Sequence, residues 1–460
     1  MKKIWFLYVL SIIILIGCSD VVFNPREVPA GSKSDYNMKL SMDTNGHFSA
    51  DISIDILNVS NEKWDELKLY FIPNMFTSEN SPQLKTPSEI GIESVKIDNI
   101  DSSYSLEKDT LKIPLNSSVS PNESVKFQMK YHFTLPIDGF RFEKIDSNYH
   151  LAQWYPMVPT YRKGWNKQAY RSKGESYHTT FSNFNLTFDI PKEYTLVTTF
   201  DEDSYLGGSS NSFRIESVKE LFVAILKDPK VVQKKSQNVN IRVFGKDESE
   251  EFLDEVAETA VESFNYFQSI IGPYPHKQLD IILDGQGMEY PGVVTAGSIY
   301  GRSVTNEAIK NIVVHEIAHQ WFYGIVSNDP YTDAWLDEGI AEISTYLFRM
   351  TNEKEIGYLD FSDNYEPMPS NLPLHEYTKS PQSNYIYGQA LTNLAKIFNQ
   401  HGGKQTAENF LRRYFTLYKY KEVDTDEFVR FMKFYLELED DSLFEGWLEL
   451  GNTDNEFIIQ

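Results

Sequence analysis

A histidine pair with an internal glutamate is the feature that most restricts how this chain can fold. In the stretch VVHEIAH, His315 and His319 lie four residues apart, although the 460 residues include only nine histidines. The apolar residues around the pair recur at helical spacing, and helical residues at positions i and i+4 lie on the same face. Both imidazoles can therefore reach one ion.

Two nitrogens do not complete a catalytic zinc site, which takes three protein ligands and leaves one position open. Glu338, in AWLDEGIAEIS, is the candidate third ligand, and eighteen residues separate it from His319. This spacing lets one helix end, the chain turn, and a second helix pack beside the first. Glu316, inside the motif, is the candidate general base for hydrolysis by a metal-activated water. The pattern predicts one zinc ion per chain.

The two halves of the chain differ in their hydrophobic periodicity. From about Ser34 to Val243, short alternating segments such as HFSADISIDILNV and TTFSNFNLTFDIP are separated by turn residues. Such alternation is typical of half-buried antiparallel strands. After Gly245 the apolar residues recur at helical spacing. We therefore predict an α+β multidomain protein, with an antiparallel β-sandwich domain over residues 34–245 and a mostly helical domain over residues 246–460.

The charge balance narrows the classes of partner. The chain has 66 acidic and 43 basic residues and a net charge of −23, which repels phosphate backbones. Nucleic-acid binding is therefore not expected, and cationic groups on a substrate are favoured.

The first twenty residues, MKKIWFLYVLSIIILIGCSD, have the pattern of an export signal. Two lysines precede an apolar run from Ile4 to Ile16, which is short for a bilayer span. The run leads into Leu-Ile-Gly-Cys18, and Cys18 is the only cysteine. This stretch resembles a bacterial lipoprotein signal with its lipobox. The resemblance implies cleavage after residue 17, lipidation of Cys18 and a body outside the cytoplasm. Two prolines and small residues from Asn24 to Lys33 predict that the lipidated linker, residues 18–33, lifts the body from the membrane. An uncleaved signal anchor is the alternative.

Three segments, HEIAHQWFYGIV, WLDEGIAEIS and GQGMEYPG, resemble the zinc aminopeptidases related to aminopeptidase N and leukotriene hydrolase. This gluzincin family pairs a saddle-like N-terminal β domain with a thermolysin-like catalytic domain, and the resemblance implies the same organisation here. Full-length relatives continue into a further β domain and a helical domain. With this chain stopping before them, we expect a more open cleft that admits longer peptides.

The resemblance also implies substrate-binding residues. A Gly-Ala-Met-Glu-Asn segment binds the substrate backbone in the family. The corresponding segment here is Gln286-Gly287-Met288-Glu289-Tyr290, which keeps Met288 and Glu289 and makes Gly287 a further candidate for substrate binding. Glu289 would pair with the free α-amine of a peptide, which makes the enzyme an exopeptidase. Gln286 and Tyr290 depart from the family pattern, and these departures bear on amino-acid preference more than on the type of reaction.

Two further roles follow from the family pattern. A tyrosine before a helix donates to the oxyanion in the family, and Tyr385 with Gly388 has the matching register, while Tyr387 is the competing choice. Gln153, in LAQWYPMVP, resembles a β-domain glutamine that reaches the active site in relatives.

These patterns together predict a monomeric, membrane-tethered zinc aminopeptidase that acts on peptides with a free N-terminus. Two alternatives stay open. A thermolysin-like endopeptidase shares the zinc geometry but gives no reason for the Gly-Met-Glu segment. A surface-anchored peptide-binding protein on a degenerate peptidase fold would have lost a ligand or the base, and all of them are present here.

Overall fold

The computed structural model describes residues 23–201, 205–209, 212–299, 302–352, 366–378 and 381–451. The predicted signal peptide and the lipidation site at Cys18 lie outside these residues. Among the helices that the structure describes, none is both long enough and apolar enough to cross a membrane.

In the described part of the N-terminal half, the chain forms fourteen strands. They are β1 (Ser32–Met42), β2 (Phe48–Asn58), β3 (Trp64–Tyr70), β4 (Ile90–Ile97), β5 (Ile100–Asp101), β6 (Ser105–Glu107), β7 (Thr110–Val119), β8 (Ser124–Phe133), β9 (Phe142–Ile145), β10 (Asn148–Leu151), β11 (Ser182–Thr198), β12 (Tyr205–Ser209), β13 (Phe213–Val218) and β14 (Val223–Lys227). One large sheet has the order β5-β4-β8-β2-β1-β11-β14-β10-β9, with β12 and β13 also paired to β11, and β3, β7 and β6 form a second sheet.

Alternation of side chains explains why these segments are strands. In β2, every second residue from Phe48 to Ile56 is buried while those between face outward, so one face of the sheet builds the core. The predicted β domain is therefore present. The pairing differs from the prediction at one place, because β1 and β11 run parallel instead of antiparallel.

The residues that the structure describes in the C-terminal half form six short strands and six helices. The strands are β15 (Lys230–Ser236), β16 (Val239–Gly245), β17 (Gln278–Ile282), β18 (Val293–Thr295), β19 (Ser298–Ile299) and β20 (Arg302–Ser303). The helices are α1 (Glu250–Ile270), α2 (Asn306–Ala318), α3 (Trp335–Asn352), α4 (Ala390–Gln400), α5 (Lys404–Tyr418) and α6 (Thr425–Leu436), and a wide π-type turn, Asn384–Gln389, precedes α4.

The sheet of the C-terminal half moves the boundary between the domains. Strands β15, β16, β17 and β18 form one sheet in that order. Strand β16 pairs in parallel with β17, which follows α1 in the sequence. By sheet membership, the second domain starts near Lys230, whereas the sequence pattern placed its start after Gly245. Periodicity alone assigns β15 and β16 to the preceding β domain, because it identifies strands without showing which sheet they join.

The segment before β1 is packed against both domains. Arg26 Nε donates to Glu427 Oε2 at 3.0 Å in the helical domain, and the N–H of Tyr161 in the β domain donates to the carbonyl of Ala30 at 2.8 Å. The prediction that residues 24–33 form a spacer that lifts the body is therefore wrong for the residues that make these contacts. We call residues 23–31 the strap.

Candidate metal centre and substrate cleft

Three side chains from two neighbouring helices converge at one point. Nε2 of His315 lies 3.0 Å from Nε2 of His319, and these two nitrogens lie 3.1 and 3.2 Å from Oε2 of Glu338. His315 lies in the last turn of α2, His319 follows its end, and Glu338 lies in the first turn of α3. The structure thus brings together the three residues predicted as ligands.

The donor triangle fits a zinc ion. Two imidazole nitrogens and one carboxylate oxygen are a donor set that catalytic zinc takes. Bonds of about 2.0–2.1 Å in a tetrahedral arrangement place donor atoms about 3.3 Å apart, close to the observed 3.0–3.2 Å. Within the described ranges, no other group of three histidine, cysteine or acidic residues offers ligand atoms this close together.

The second nitrogen of each histidine also has a neighbour that orients the ring. Nδ1 of His319 donates to the carbonyl of Phe322 at 2.9 Å, which leaves Nε2 with a lone pair for a metal. Nδ1 of His315 lies 3.3 Å from Oε1 of Glu342. Glu342 follows Glu338 by one helical turn, so α3 supplies both a ligand and a carboxylate that orients another ligand.

The local charges keep the Glu338 carboxylate ionised. Burial disfavours the ionised form of Glu338, but hydrogen bonds from His315 and His319 hold its pKa well below the usual range. Burial likewise opposes protonation of His315, yet its contacts with Glu338 and Glu342 raise its pKa. A cation at this point would therefore meet an ionised carboxylate and displace a proton from the imidazole.

Glu316 is placed beside the centre and under the predicted substrate-binding segment. A β-carbon at Gly287 would lie 3.0 Å from Oε1 of Glu316, so the glycine allows the two to approach closely. Burial raises the pKa of Glu316 to about 7, with repulsion from Glu338 in the same direction and attraction from the histidines against it. Glu316 can therefore exchange a proton near neutral pH.

The segment with Gly287 and Met288 lies along the edge of the second domain's sheet. Met288 exchanges backbone hydrogen bonds with Thr295 of β18 at 3.2 and 2.9 Å, and the N–H of Gly287 donates to Ser298 at 3.2 Å. The Met288 side chain is buried. Both residues line a cleft of about 450 Å³ that also contains the donor triangle.

Glu289 is a buried carboxylate in the wall of this cleft. Burial raises its pKa well above the usual range, and repulsion from Glu175, Glu316 and Glu338 acts in the same direction, while Arg141 opposes the shift. A bound cation would relieve both the desolvation and the repulsion. The position suits an ammonium group.

The structure favours Tyr387 over Tyr385 as the hydroxyl donor, which corrects the choice made from the sequence. The hydroxyl of Tyr387 donates to Oε1 of Glu338, and Tyr387 lines the cleft. Tyr385 is buried, and its hydroxyl donates to the carbonyl of Glu366 at 2.7 Å. Both residues lie in the wide turn Asn384–Gln389, where the side chains do not follow α-helical spacing.

Gln153 is not among the residues that line the cleft, contrary to the prediction. Its Nε2 donates to Oε2 of Glu220 at 2.8 Å and to the hydroxyl of Tyr177 at 3.0 Å, and all three side chains are buried. The side-chain amide of Gln153 therefore forms these hydrogen bonds inside the β domain.

Several cleft residues were not singled out from the sequence. Arg141 and Glu175, both in the β domain, form an ion pair at 2.8 Å and line the cleft with Arg349 of α3. Glu342 could have been found from its spacing of four residues after Glu338. Arg141 and Glu175 lie outside regular periodic segments, so no local pattern points to them.

The fold and the donor set agree with the predicted class of protein. A β-rich domain is followed by a domain whose two adjacent helices supply His, His and Glu around an internal glutamate, which is the arrangement that the resemblance to the zinc aminopeptidases implied. Residues 255–447 match the model of the peptidase family M1 domain.

The similar curated proteins are longer than this chain. Aminopeptidase N of Lactococcus lactis subsp. lactis is 24% identical over 60% of this chain and 37% of its own length. Leukotriene A-4 hydrolase of Xenopus laevis is 25% identical over 42% of this chain and 36% of its own length. The chain thus aligns with little more than a third of these relatives.

Solved structures cover almost the whole chain. The M1 zinc metallopeptidase from Deinococcus radiodurans matches with a TM-score of 0.63 at 14% identity, over 91% of this chain and 94% of that chain. A mutant two-domain M1 zinc metallopeptidase bound to L-tryptophan matches with a TM-score of 0.65 at 15% identity, over 94% and 97% of the two chains. These matches confirm the predicted two-domain fold.

Proposed function

We propose that this protein is a zinc-dependent aminopeptidase that removes the first residue of peptides. The observation that carries the proposal is the placement of Glu289, a buried carboxylate in the same cleft as the donor triangle. A cleft that holds an ammonium at a fixed place beside a metal centre permits cleavage after the first residue. The similarity to aminopeptidase N of Lactococcus lactis subsp. lactis supports the same reaction.

His315, His319 and Glu338 would hold one zinc ion. When bound, zinc supplies Lewis acidity, which polarises a carbonyl oxygen and makes water a nucleophile at neutral pH. The side chains around the site supply the remaining steps.

Glu316 moves the proton. Its carboxylate takes a proton from the attacking water and returns it to the nitrogen of the leaving amine, so one group acts as base and then as acid. The raised pKa, about 7, suits both roles near neutral pH. The hydroxyl of Tyr387 donates a hydrogen bond to the carbonyl oxygen of the peptide bond being cleaved, as negative charge develops on that oxygen.

The charge of the cleft favours a cationic substrate end. Among the described residues, five glutamates and two arginines line it; they are Glu175, Glu289, Glu316, Glu338, Glu342, Arg141 and Arg349. Arg141 is paired with Glu175. Glu289 is therefore the carboxylate available for an α-ammonium, and a charge-assisted hydrogen bond between them would orient the peptide.

We also propose a membrane tether at Cys18. The ring of Phe23 in the strap lies 5.2 Å from that of Phe431 on α6. Residues 18–22 would then be all that separates the lipid from the folded body, at most about 17 Å of extended chain. Cell fractionation tests this tether: the parent should enter the membrane fraction and Cys18→Ala the soluble fraction. Equal distribution of the two would contradict the tether.

The enzymatic proposal is tested with one peptide in two forms, with a free amine and N-acetylated. We expect zinc-dependent cleavage of the free-amine form, loss of cleavage on chelation, recovery on zinc addition, and little cleavage of the acetylated form. Equal cleavage of both forms would indicate an endopeptidase instead. Absence of cleavage by the zinc-loaded protein would indicate a peptide-binding protein.

A further inference from the structure

A strained residue follows the second zinc-ligand candidate. Tyr323 has a φ of 123°, in a region that residues with a side chain rarely adopt. Its side chain is almost fully buried, and its backbone N–H donates to the carbonyl of Val326 at 2.9 Å. Such a conformation persists only when the surroundings impose it.

One restraint on the Tyr323 side chain comes from the β domain. The hydroxyl of Tyr323 donates to Oε1 of Glu220, and Glu220 also accepts from the hydroxyl of Tyr177 at 3.0 Å and from Nε2 of Gln153 at 2.8 Å. These partners are all buried. Glu220 is thus fixed by its own domain and holds the end of the tyrosine across the domain boundary.

The peptide group between Phe322 and Tyr323 also contains the hydrogen-bond acceptor of the candidate ligand His319. The N–H of Tyr323 and the carbonyl of Phe322 belong to one planar peptide unit, and that carbonyl accepts from Nδ1 of His319 at 2.9 Å. The backbone conformation at Tyr323 therefore sets where the carbonyl points. The direction of the carbonyl sets the orientation and tautomer of the His319 ring.

We propose that Glu220, acting through Tyr323, is a positioning residue for His319, so that the β domain controls how tightly the helical domain holds its metal. The inference rests on the zinc site of the proposed function. It goes further, because it assigns to the β domain a role in metal binding that does not depend on contact with substrate.

Three substitutions separate this role from simple packing. Tyr323→Phe keeps the ring and removes the hydroxyl that reaches Glu220. Tyr323→Gly removes the same hydroxyl, but glycine adopts a φ of 123° without steric cost, so the carbonyl of Phe322 can stay in place. Tyr177→Phe is the matched control, since it removes an equally buried hydroxyl from the same Glu220 oxygen and has no bond to the Phe322–Tyr323 peptide.

The measurement is the rate at which each purified zinc-loaded protein loses zinc to a chelator, with the d–d spectrum of the cobalt-substituted protein as a second readout. Loss of an outer hydrogen bond to a ligand lowers metal affinity by about 10–100-fold, and we expect zinc loss from Tyr323→Phe to be faster by roughly tenfold. Tyr323→Gly and Tyr177→Phe should lose zinc within about twofold of the parent rate and keep its cobalt spectrum.

Equal acceleration in Tyr323→Phe and Tyr177→Phe would overturn the proposal, because the network would then act only as a domain interface. An unchanged rate in Tyr323→Phe, or an equally fast loss in Tyr323→Gly, would also overturn it. Zinc retention is read without any peptide, so this result is distinguishable from a failure of the proposed aminopeptidase activity.

Discussion

The hydroxyl of Tyr387 donates a hydrogen bond to Oε1 of Glu338, while the other oxygen of the same carboxylate faces both histidines. One glutamate therefore links the metal centre to the hydroxyl that would stabilise an oxyanion. This contact holds the phenol beside the centre before any substrate is present. Because the hydroxyl has a single proton, it must release Glu338 to donate to an oxyanion.

Replacement of Tyr387 by phenylalanine should lower kcat in assays at saturating zinc, a condition that offsets the lost hydrogen bond to the ligand candidate Glu338. Loss of one oxyanion donor lowers kcat by about 10²–10³-fold. Tyr385→Phe is the matched control, because its hydroxyl bonds only the carbonyl of Glu366 in the described structure, and its kcat should stay within about twofold. Steady-state kinetics of both variants on one peptide decide the matter, and the reverse ranking would restore Tyr385 as the donor.

The substitution Glu316→Gln separates chemistry from metal binding. The side chain is not one of the three donors, so the variant should bind one zinc ion per chain by elemental analysis. Loss of a general base costs about 10²–10⁴-fold in rate, and turnover should fall by that amount. A variant that retained more than about a tenth of the parent turnover would contradict the assignment of Glu316 as the base.

Glu289→Gln should weaken recognition of the free amine. A hydrogen bond to a charged group contributes about 1.5–3 kcal/mol, so kcat/KM on a free-amine peptide should fall by roughly 10–100-fold. Any slow cleavage of the N-acetylated peptide should not fall. Equal losses on the two peptides would mean that Glu289 supports the fold of the cleft and not the amine.

An ion-pair cluster between the domains gives a pH-dependent stability. Glu422 accepts from His178 at 2.9 Å and pairs with Arg162. Burial opposes its ionisation, but His178, Arg162 and Lys219 lower its pKa from 4.5 to about 2. Because the folded pKa is depressed, the stabilisation is complete above pH 4.5 and is lost as the pH falls towards 2.

Glu422→Gln should therefore reduce the free energy of unfolding at pH 7, by about 3 kcal/mol, since removal of one partner leaves buried cations uncompensated. Urea unfolding of parent and variant between pH 4 and pH 7 measures the difference. The difference in free energy of unfolding between parent and variant should be constant above about pH 5 and should begin to narrow at pH 4. A gap that widens on acidification would contradict the account.

The metal ligands were predictable because they depend on local rules. His315 and His319 lie one helical turn apart, so helical geometry brings these two together. Glu338 follows after a spacing that suits a second helix packed beside the first. The hydroxyl donor was not predictable in the same way. The π-type turn Asn384–Gln389 has a wider repeat than an α-helix, so the register that selects Tyr385 fails there.

The strap and the domain boundary show a second limit. Residues 24–33 have the proline and small residues of a spacer, but Arg26 finds Glu427 at a separation of 401 residues. No local sequence pattern indicates a hydrogen-bond partner so far away along the chain. Similarly, β16 reads as a strand but not as a strand of the second domain, because its parallel neighbour β17 comes only after α1. Long-range pairing decided both cases.

The most direct test of the central claim is the identity of the first product. The purified zinc-loaded protein is incubated with a hexapeptide whose residues all differ, and the products are followed by mass spectrometry. If the protein is a zinc aminopeptidase, the first products are the free first residue and the peptide shortened by one residue. Neither product should form in the presence of chelator. Internal fragments as first products, or the same products from Glu316→Gln at the parent rate, would contradict the account.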